Sequence, residues 1–282
     1  MAKSFNKISK VLVFLFLAGV FIISVFPIVY IILASFKSNA EILTSGATLL
    51  PKKFITENYV KAWTLANFKL YTWNSIYMTF FIVIGCILTS TTLAYVLDRG
   101  VFVGKKFIFA LFLSTMFISL GTSSLFPQLQ VAKLLGLHTS LWGVIVIRVL
   151  GINVTQVFVA KGYLATISKE IDEAAKIDGC GFIRIYGSII FPLLKPLIAT
   201  IGLLSFRAAW NDYMLPRVFT LAKPNRAPLV VGVVNLRNSG EAASSWNLML
   251  AGTTIAIVPM LTVYLFLNRY FIEGLTSGAV KG

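Results

Sequence analysis

The sequence predicts an all-α polytopic membrane protein with six transmembrane helices and one short helix outside the membrane. Of its 282 residues, 57% are apolar and only 12% are charged, about half the charged share of an ordinary soluble domain. The apolar residues come in runs of about 20, the length that spans a bilayer as a helix. The short alternating segments that are typical of a membrane β-barrel are absent from these runs.

Helices are expected in these runs because lipid offers the backbone no hydrogen-bond partners. In chain order the predicted spans are 11–34, 75–97, 107–126, 140–160, 196–216 and 250–268. The first follows a basic N-terminus and begins like a signal peptide, but it is too long for the apolar part of one and lacks a small-residue cleavage site. We therefore interpret it as a retained span. Pro27 and Pro259 fall inside spans, where proline predicts a kink.

The net charge of +15 comes from Lys and Arg residues that lie between the apolar runs. Nucleic-acid binding would place such residues on one face or along a groove, so no nucleic-acid partner is predicted. With the N-terminus inside, the inner segments carry 13 Lys and Arg in 68 residues, and the outer segments carry 10 in 84. This density favours a topology with both termini in the cytoplasm.

Residues for catalysis or metal binding are scarce. His138 is the one histidine, and Cys86 and Cys180 are far apart, so neither a metal spacing nor a disulfide is predicted. The sequence also lacks a G-x-x-x-x-G-K-[ST] loop, which would wrap nucleotide phosphates. We expect no catalytic residue, no metal and no cofactor in this chain.

The longest predicted inner loop, 161–195, contains a helix of two to three turns at 169–178. Ser168 can cap its first turn, and Glu170 and Asp172 lie near its positive end. Gly179 can close it in a left-handed conformation. Residues at three-and-four spacing give the helix a narrow face: Ile171, Ala174, Ala175 and Asp178. That face would fit a groove on another protein. The alternative interpretation, an amphipathic helix that rests on its own membrane domain, remains open.

The following turn is predicted to be anchored against the membrane helices by Phe182, Ile183 and Ile185. The inner loop 161–195 also matches the spaced pattern E-A-A-x3-G-x9-I-x-L-P. The matching residues are Glu173-Ala174-Ala175, Gly179, Ile189 and Phe191-Pro192, with Phe191 where Leu is usual. The chain thereby resembles the permeases of binding-protein-dependent ATP-binding-cassette (ABC) importers. Ser168 also stands where these proteins often have proline, and both residue types suit the start of a helix.

The resemblance extends over nearly the whole chain and points to the carbohydrate-uptake branch, specifically the second, six-span permease of the maltose-type systems. It is carried by Asn58-Tyr59 with Ala62-Trp63, the turn Leu135-Gly136-Leu137, Trp210-Asn211-Asp212 and the tail 274–282. It implies that 1–282 is a single importer transmembrane domain in a bacterial or archaeal cell membrane. Such a subunit forms half of the translocation path of a sugar importer.

The resemblance also implies a mechanism and partners. Glu173, Ala174, Ala175, Asp178 and Gly179 would enter a cleft on the ATPase, which makes 169–178 a cytoplasmic coupling helix. Expected partners are a second homologous permease in a heterodimer, two cytoplasmic ATP-binding subunits that hold ATP and Mg, an extracytoplasmic sugar-binding protein and membrane lipid. The outer loop 217–249 would reach toward the binding protein. The tail after Glu273 would lie against the ATPase dimer, unless it is a frayed terminus.

The fifth span is the least apolar, and ionisable groups at that depth usually face a cavity or a protein partner. We expect Ser205, Trp210, Asn211 and Asp212 to line the sugar path, since sugar sites combine polar groups with aromatic faces. In some relatives only the other permease holds the sugar. Arg207 and Asp212 would then form pairs between helices or subunits. In the fourth span three polar residues are weaker candidates, with interhelical hydrogen bonds as the competing role: Arg148, Asn153 and Gln156.

Two other classes of function remain as alternatives. A secondary transporter or channel for a small polar solute usually shows acidic groups in its spans and an internal repeat, whereas only Asp212 is available here. A membrane-embedded enzyme needs a catalytic cluster, and none is visible. Dependence of transport on an ATPase partner separates the importer from the carrier.

Overall fold

The computed structural model describes residues 7–44, 48–65, 67–118, 120–238 and 245–277, and these ranges contain helices and turns but no β-strand. The α-helices are α1 (Lys7–Ala34), α2 (Asn39–Thr44), α3 (Glu57–Leu65), α4 (Phe68–Arg99), α5 (Lys105–Ser114), α6 (Leu125–Leu134), α7 (Leu141–Leu150), α8 (Val154–Leu164), α9 (Glu170–Ile177), α10 (Phe182–Ile185), α11 (Phe191–Leu193), α12 (Lys195–Trp210), α13 (Met214–Thr220), α14 (Leu229–Asn235) and α15 (Trp246–Ser277). A π-helical turn, Tyr186–Ile190, joins α10 to α11. The predicted all-α class is confirmed within these ranges.

Three of the described helices are individually long and apolar enough to cross a membrane: α1, α4 and α15. Two pairs of helices, each bent at a short break, are also long and apolar enough to cross a membrane when each pair is taken together. The angle between α7 and α8 is 46°, and the angle between Phe182–Leu193 and α12 is 81°. Up to five spans therefore follow from length and composition alone. Pro27 and Pro259 lie inside α1 and α15, and both helices continue past them.

The third predicted span, 107–126, is not one continuous helix. It consists of α5, the 3₁₀ turns Thr115–Phe117 and Gly121–Ser124, and the start of α6. The Oγ of Ser114 donates to the Leu111 carbonyl at 2.6 Å, and the Oγ1 of Thr115 donates to the Phe112 carbonyl at 2.7 Å. Short polar side chains that bond nearby carbonyls favour bends over straight helix.

The fourth and fifth predicted spans are also interrupted. In the fourth, α7 ends before Gly151, and the side chain of Asn153 accepts the Gln156 amide at 3.2 Å to cap α8. In the fifth, α12 ends at Trp210, and the Nδ2 of Asn211 donates to the Arg207 carbonyl at 3.0 Å. Asparagine favours such caps because its amide bonds the local backbone.

The chain divides into two compact units, Met1–Phe68 with Gly232–Val258 and Lys69–Val231 with Pro259–Gly282. In the first unit, buried Asn58 joins three segments. Its Nδ2 donates to the carbonyls of Ser35 at 2.8 Å and Lys37 at 2.9 Å, and its Oδ1 accepts from the Nδ2 of Asn247 at 2.8 Å.

The other residues of the first unit that carry the family resemblance pack around this centre. Ala62 is fully buried, and Tyr59 lies 5.1 Å from Phe36 between ring centroids. Trp63 stacks on Phe68 with a centroid distance of 5.4 Å. Packing inside the first unit therefore accounts for Ala62 and Tyr59, whereas Trp63 is still 50% exposed.

In the second unit the core holds α7 against α13 through a close approach at Gly143. An ideal Cβ on Gly143 would lie 2.5 Å from the Leu137 carbonyl oxygen and 2.6 Å from the Cε1 of Phe219. Real Cβ atoms do not approach that closely, so a methyl group there must displace backbone or a buried ring.

We expect Gly143→Ala to lower the stability of the detergent-solubilised protein by about 1–3 kcal/mol through overpacking. The matched control is Gly162→Ala in α8, where nothing lies within 4 Å of the added methyl. There alanine should be neutral or stabilising because it favours helix. Thermal unfolding of both variants, followed by gel filtration, measures the difference. A Gly143→Ala variant as stable as Gly162→Ala would contradict this packing.

Candidate functional site

The predicted helix at 169–178 is present as α9, and both predicted ends are confirmed. The Oγ of Ser168 accepts the Glu170 amide at 3.3 Å. At the other end Gly179 has φ +78°, a left-handed conformation that glycine adopts without strain. The Cys180 amide donates to the Ala175 carbonyl at 2.9 Å, and the Gly179 amide donates to the Lys176 carbonyl at 3.0 Å. These two bonds form a Schellman motif, which fixes the length of the helix.

One face of α9 is exposed. The exposed residues are Glu170, Ile171, Glu173, Ala174, Lys176 and Ile177, followed by exposed Asp178 and Gly179 at the end of the helix. Ile177 is 87% exposed. The exposed side of α9 thus combines three carboxylates and one lysine with two isoleucines and an alanine.

The opposite face of α9 is buried, and this corrects one part of the prediction. Ala175, predicted on the same narrow face as Ala174, is only 5% exposed and belongs to a core cluster of the second unit. Asp172 is buried beside it. Ala175 therefore holds the helix against its own chain, because a small residue allows close packing there.

The turn after α9 is anchored as predicted by two of its three apolar residues. Ile185 is fully buried, and the ring of Phe182 lies 4.7 Å from the ring of Tyr95. Ile183 is 83% exposed and anchors nothing within the described residues.

A second candidate site is a polar cavity of about 310 Å³ inside the second unit. Its polar lining comes from α6, α7, α8, α12, the break between α7 and α8, and Asp212, which follows α12 by two residues. The lining residues are Ile82, Cys86, Gln128, Ile147, Arg148, Gly151, Asn153, Gln156, Ser205, Ala208, Ala209 and Asp212. Six of the twelve lining residues have polar side chains, so the cavity offers many hydrogen-bonding groups to a small molecule.

An ion pair between Arg148 and Asp212 dominates the cavity. The Nε of Arg148 donates to the Oδ2 of Asp212 at 2.9 Å, and the Nη2 donates to the same oxygen. The Asp212 side chain is 7% exposed, whereas that of Arg148 is 45% exposed. The carboxylate therefore depends on the arginine for its charge balance, while the arginine also faces the open space.

A chain of neutral hydrogen bonds forms the inner wall of the cavity. The Nε2 of Gln156 donates to the Oγ of Ser205 at 2.9 Å, and its Oε1 accepts from the Oγ of Ser90 at 3.3 Å. All three side chains are buried. These bonds connect α4, α8 and α12.

The structure brings together two of the four predicted sugar-path residues. Ser205 and Asp212 line the cavity, whereas Trp210 and Asn211 are outside its lining. Trp210 is buried and stacks on Phe206 with a centroid distance of 5.5 Å, and Asn211 is exposed. Arg207 is exposed as well.

The three weaker candidates of the fourth span all line the cavity: Arg148, Asn153 and Gln156. The alternative interpretation of Asp212 as part of an interhelical pair also holds, with Arg148 as its partner. Sequence reasoning missed Gln128 and Cys86 as lining residues. Gln128 lies just beyond the predicted third span, 107–126, so a search for polar residues within the apolar runs would not find it.

Comparison with known proteins gives one family and several full-length relatives. A model described as "binding-protein-dependent transport system inner membrane component" matches residues 1–277. The chain is 32% identical to the arabinooligosaccharides transport system permease protein AraQ of Halalkalibacterium halodurans, over 98% of this chain and 99% of that protein. It is 33% identical to the melibiose/raffinose/stachyose import permease protein MelC of Bacillus subtilis, over 91% of each.

A solved structure has the same fold. It is the crystal structure of a bacterial ABC transporter involved in the import of the acidic polysaccharide alginate. It superposes with a TM-score of 0.77 over 95% of this chain and 99% of that chain, at 24% sequence identity.

Proposed function

Because the chain belongs to the family of binding-protein-dependent transport system inner membrane components, we propose that it is a permease subunit of an ATP-driven importer for uncharged sugars. It is a multi-pass membrane protein and a transport subunit rather than an enzyme. The observation that carries the proposal is α9, a short helix bounded by Ser168 and Gly179 whose exposed side is rich in charged residues, at the position of the family's signature.

We infer a topology of six spans with both termini in the cytoplasm. If each bent pair crosses the membrane once, the region 105–134 supplies the sixth crossing in broken form. Support comes from its exposed apolar side chains, among them Phe107, Phe117 and Phe126. Such a surface needs lipid or a protein partner to cover it. The higher density of Lys and Arg on the inner segments supports this orientation and places α9 in the cytoplasm.

The exposed face of α9 docks into the ATPase. The contact is made by Glu173, Ala174, Asp178 and Gly179. Ala175 packs on the buried side of the helix and holds it against its own chain. Two ATP-binding subunits hold ATP and Mg, and their closure moves α9. A second homologous permease completes the path, and an extracytoplasmic binding protein delivers the sugar. The tail beyond residue 277, proposed to contact the ATPase dimer, and residues 239–244 of the outer loop lie outside the described residues.

The cavity lined by Arg148, Gln156, Ser205 and Asp212 forms this subunit's part of the sugar path. Its ion pair sums to no net charge, which suits an uncharged ligand, and its hydroxyl and amide groups match sugar hydroxyls. AraQ and MelC are named for uncharged oligosaccharides, which supports the same class of ligand here.

The test is uptake by proteoliposomes that contain both permeases and the ATPase, with the binding protein outside. We expect accumulation of a neutral oligosaccharide such as radiolabelled raffinose only when ATP is hydrolysed. An ATPase variant that binds but does not hydrolyse ATP serves as the control. Uptake that persists without any ATPase subunit would contradict the importer and favour a secondary transporter or channel.

A further inference from the structure

The inner face of α9 meets the last turns of α4 through a buried cluster of charges. The Nε of Arg99 lies 3.2 Å from the Oδ2 of Asp172, and its Nη1 lies 3.1 Å from the Oδ2 of Asp98. The side chains of Arg99 and Asp172 are each 6% exposed, and that of Asp98 is 11% exposed. A buried guanidinium can remain charged there because two carboxylates face it.

Arg99 also binds the chain that leads into α9. Its Nη2 donates to the Ile167 carbonyl at 2.6 Å and lies 3.4 Å from the Leu164 carbonyl. One planar side chain therefore contacts the end of α8, the turn before α9 and α9 itself. Lysine could not replace it, because an ammonium group lacks this fixed fork of donors.

The cluster is close to neutral as a whole. Lys161, at the inner end of α8, lies 3.6 Å from the Oδ1 of Asp98, which gives two cations and two carboxylates. Loss of one member would leave an unbalanced charge in a buried place. The cluster thus holds α4, α8 and α9 in a single arrangement relative to one another.

A second connection runs through Tyr95, one turn before Arg99. Its hydroxyl donates to the Oδ1 of Asp172 at 2.9 Å. Its ring lies 4.7 Å from Phe182 and 5.1 Å from Tyr186, and the Tyr186 hydroxyl is 2.8 Å from the Oγ1 of Thr91. The segments on both sides of Gly179 are therefore held by the last turns of α4.

We propose that Arg99, through Asp172, is a positioning residue that transmits the movement of α9 into α4. The chain connects α9 to α8 through the turn at 165–169, and to α12 through the π-helical turn and an 81° bend. Neither connection leads to α4, whereas the contact between α9 and α4 is direct and buried. A force on α9 is therefore transmitted to the helix that lines the cavity with Ile82 and Cys86. This inference rests on the proposed role of α9 as the ATPase contact.

The test is Asp172→Asn in the complete importer, reconstituted in proteoliposomes. Asparagine keeps an oxygen for the Tyr95 hydroxyl but removes the charge that binds Arg99. We expect the ATPase to remain bound and its basal hydrolysis to persist. Sugar molecules transported per ATP should fall at least tenfold, and stimulation of hydrolysis by the binding protein should be lost. Arg99→Lys should act in the same way, and Asp172→Glu should restore part of the coupling.

The control is Glu57→Gln on α3, which removes an exposed carboxylate whose pair with Lys61 spans 3.5 Å at the surface. It should leave the transport ratio unchanged. The proposal is overturned if Asp172→Asn transports normally, or if the subunit loses its ATPase and thermal stability together, which a purely structural role would produce. Normal transport by Asp172→Asn combined with inactive Glu173→Lys would overturn only this inference. Normal transport by Glu173→Lys would instead remove the proposed function of α9.

Discussion

Replacement of Glu173 by lysine is expected to abolish sugar uptake while the subunit still inserts into the membrane. Glu173 lies on the exposed side of α9, at the edge of a small cavity that Arg99 and Asp172 also line. A cleft that accepts a carboxylate presents a basic group, and a lysine would bring two like charges together. Losing one partner of a buried interfacial charge pair costs about 2–5 kcal/mol, and repulsion adds to this. The affinity for the ATPase should fall by roughly 30-fold or more, since about 1.4 kcal/mol is a factor of ten.

Co-purification of the ATPase with the permease measures this loss directly, and uptake by proteoliposomes measures its consequence. Glu57→Lys is the matched control, since it makes the same charge reversal on an exposed residue of α3. That variant should bind its ATPase and take up sugar as the unmodified protein does. Normal uptake by Glu173→Lys would show that Glu173 has no part in coupling.

The ends of α9 were predictable from the sequence because they depend on local chemistry. A serine hydroxyl three residues or fewer from free amides caps a helix start, and glycine closes a helix by adopting positive φ. Both effects involve neighbours in the chain, so Ser168 and Gly179 carry the information by themselves. The signature spacing added the expectation that this short helix serves a partner.

The buried face of α9 was not predictable in the same way. Asp172 looks like a residue placed to favour the helix dipole, and its position in the first turn permits that role. Its tertiary partner Arg99 is in another helix, and no local pattern connects the two. The same limit explains Ala175, which shares three-and-four spacing with Ile171 and Asp178 but lies on the packed side of the helix.

The residues of the cavity were partly predictable from the sequence. Asp212 and Arg148 could each be singled out because charges within apolar runs seek a cavity or a partner. Arg148 lies in α7 and Asp212 follows the end of α12, so their pairing depends on the tertiary packing of two predicted spans. Trp210 is two residues before Asp212 in the sequence, but it is the last residue of α12 and packs on Phe206 outside the cavity. Closeness in the sequence was therefore a poor guide to closeness in the site.

The second large effect is expected at the Arg148–Asp212 pair. Arg148→Ala should leave the nearly buried Asp212 carboxylate without its cation. Removing one partner of a fully buried pair costs about 3–5 kcal/mol, and the cost here should be lower because the Arg148 side chain is 45% exposed. Asp212→Ala should cost less stability, because the arginine that remains is 45% exposed and can be hydrated. It should nevertheless raise the KM for a neutral sugar, since the cavity would then carry a positive charge.

The double variant Arg148→Ala/Asp212→Ala separates a structural pair from a sugar-binding one. Both charges are gone, so thermal stability should recover toward that of the unmodified protein, and the difference between single and double variants gives the coupling energy. If the pair serves only to hold α7 to the end of α12, sugar uptake recovers together with stability. If the pair also contacts sugar, the double variant is stable but its KM stays raised.

Trp210→Ala is the comparison, because that ring lies outside the cavity and should lower stability while leaving KM unchanged. A stable double variant with unaltered kinetics for every neutral oligosaccharide tested would exclude Arg148 and Asp212 from the sugar path.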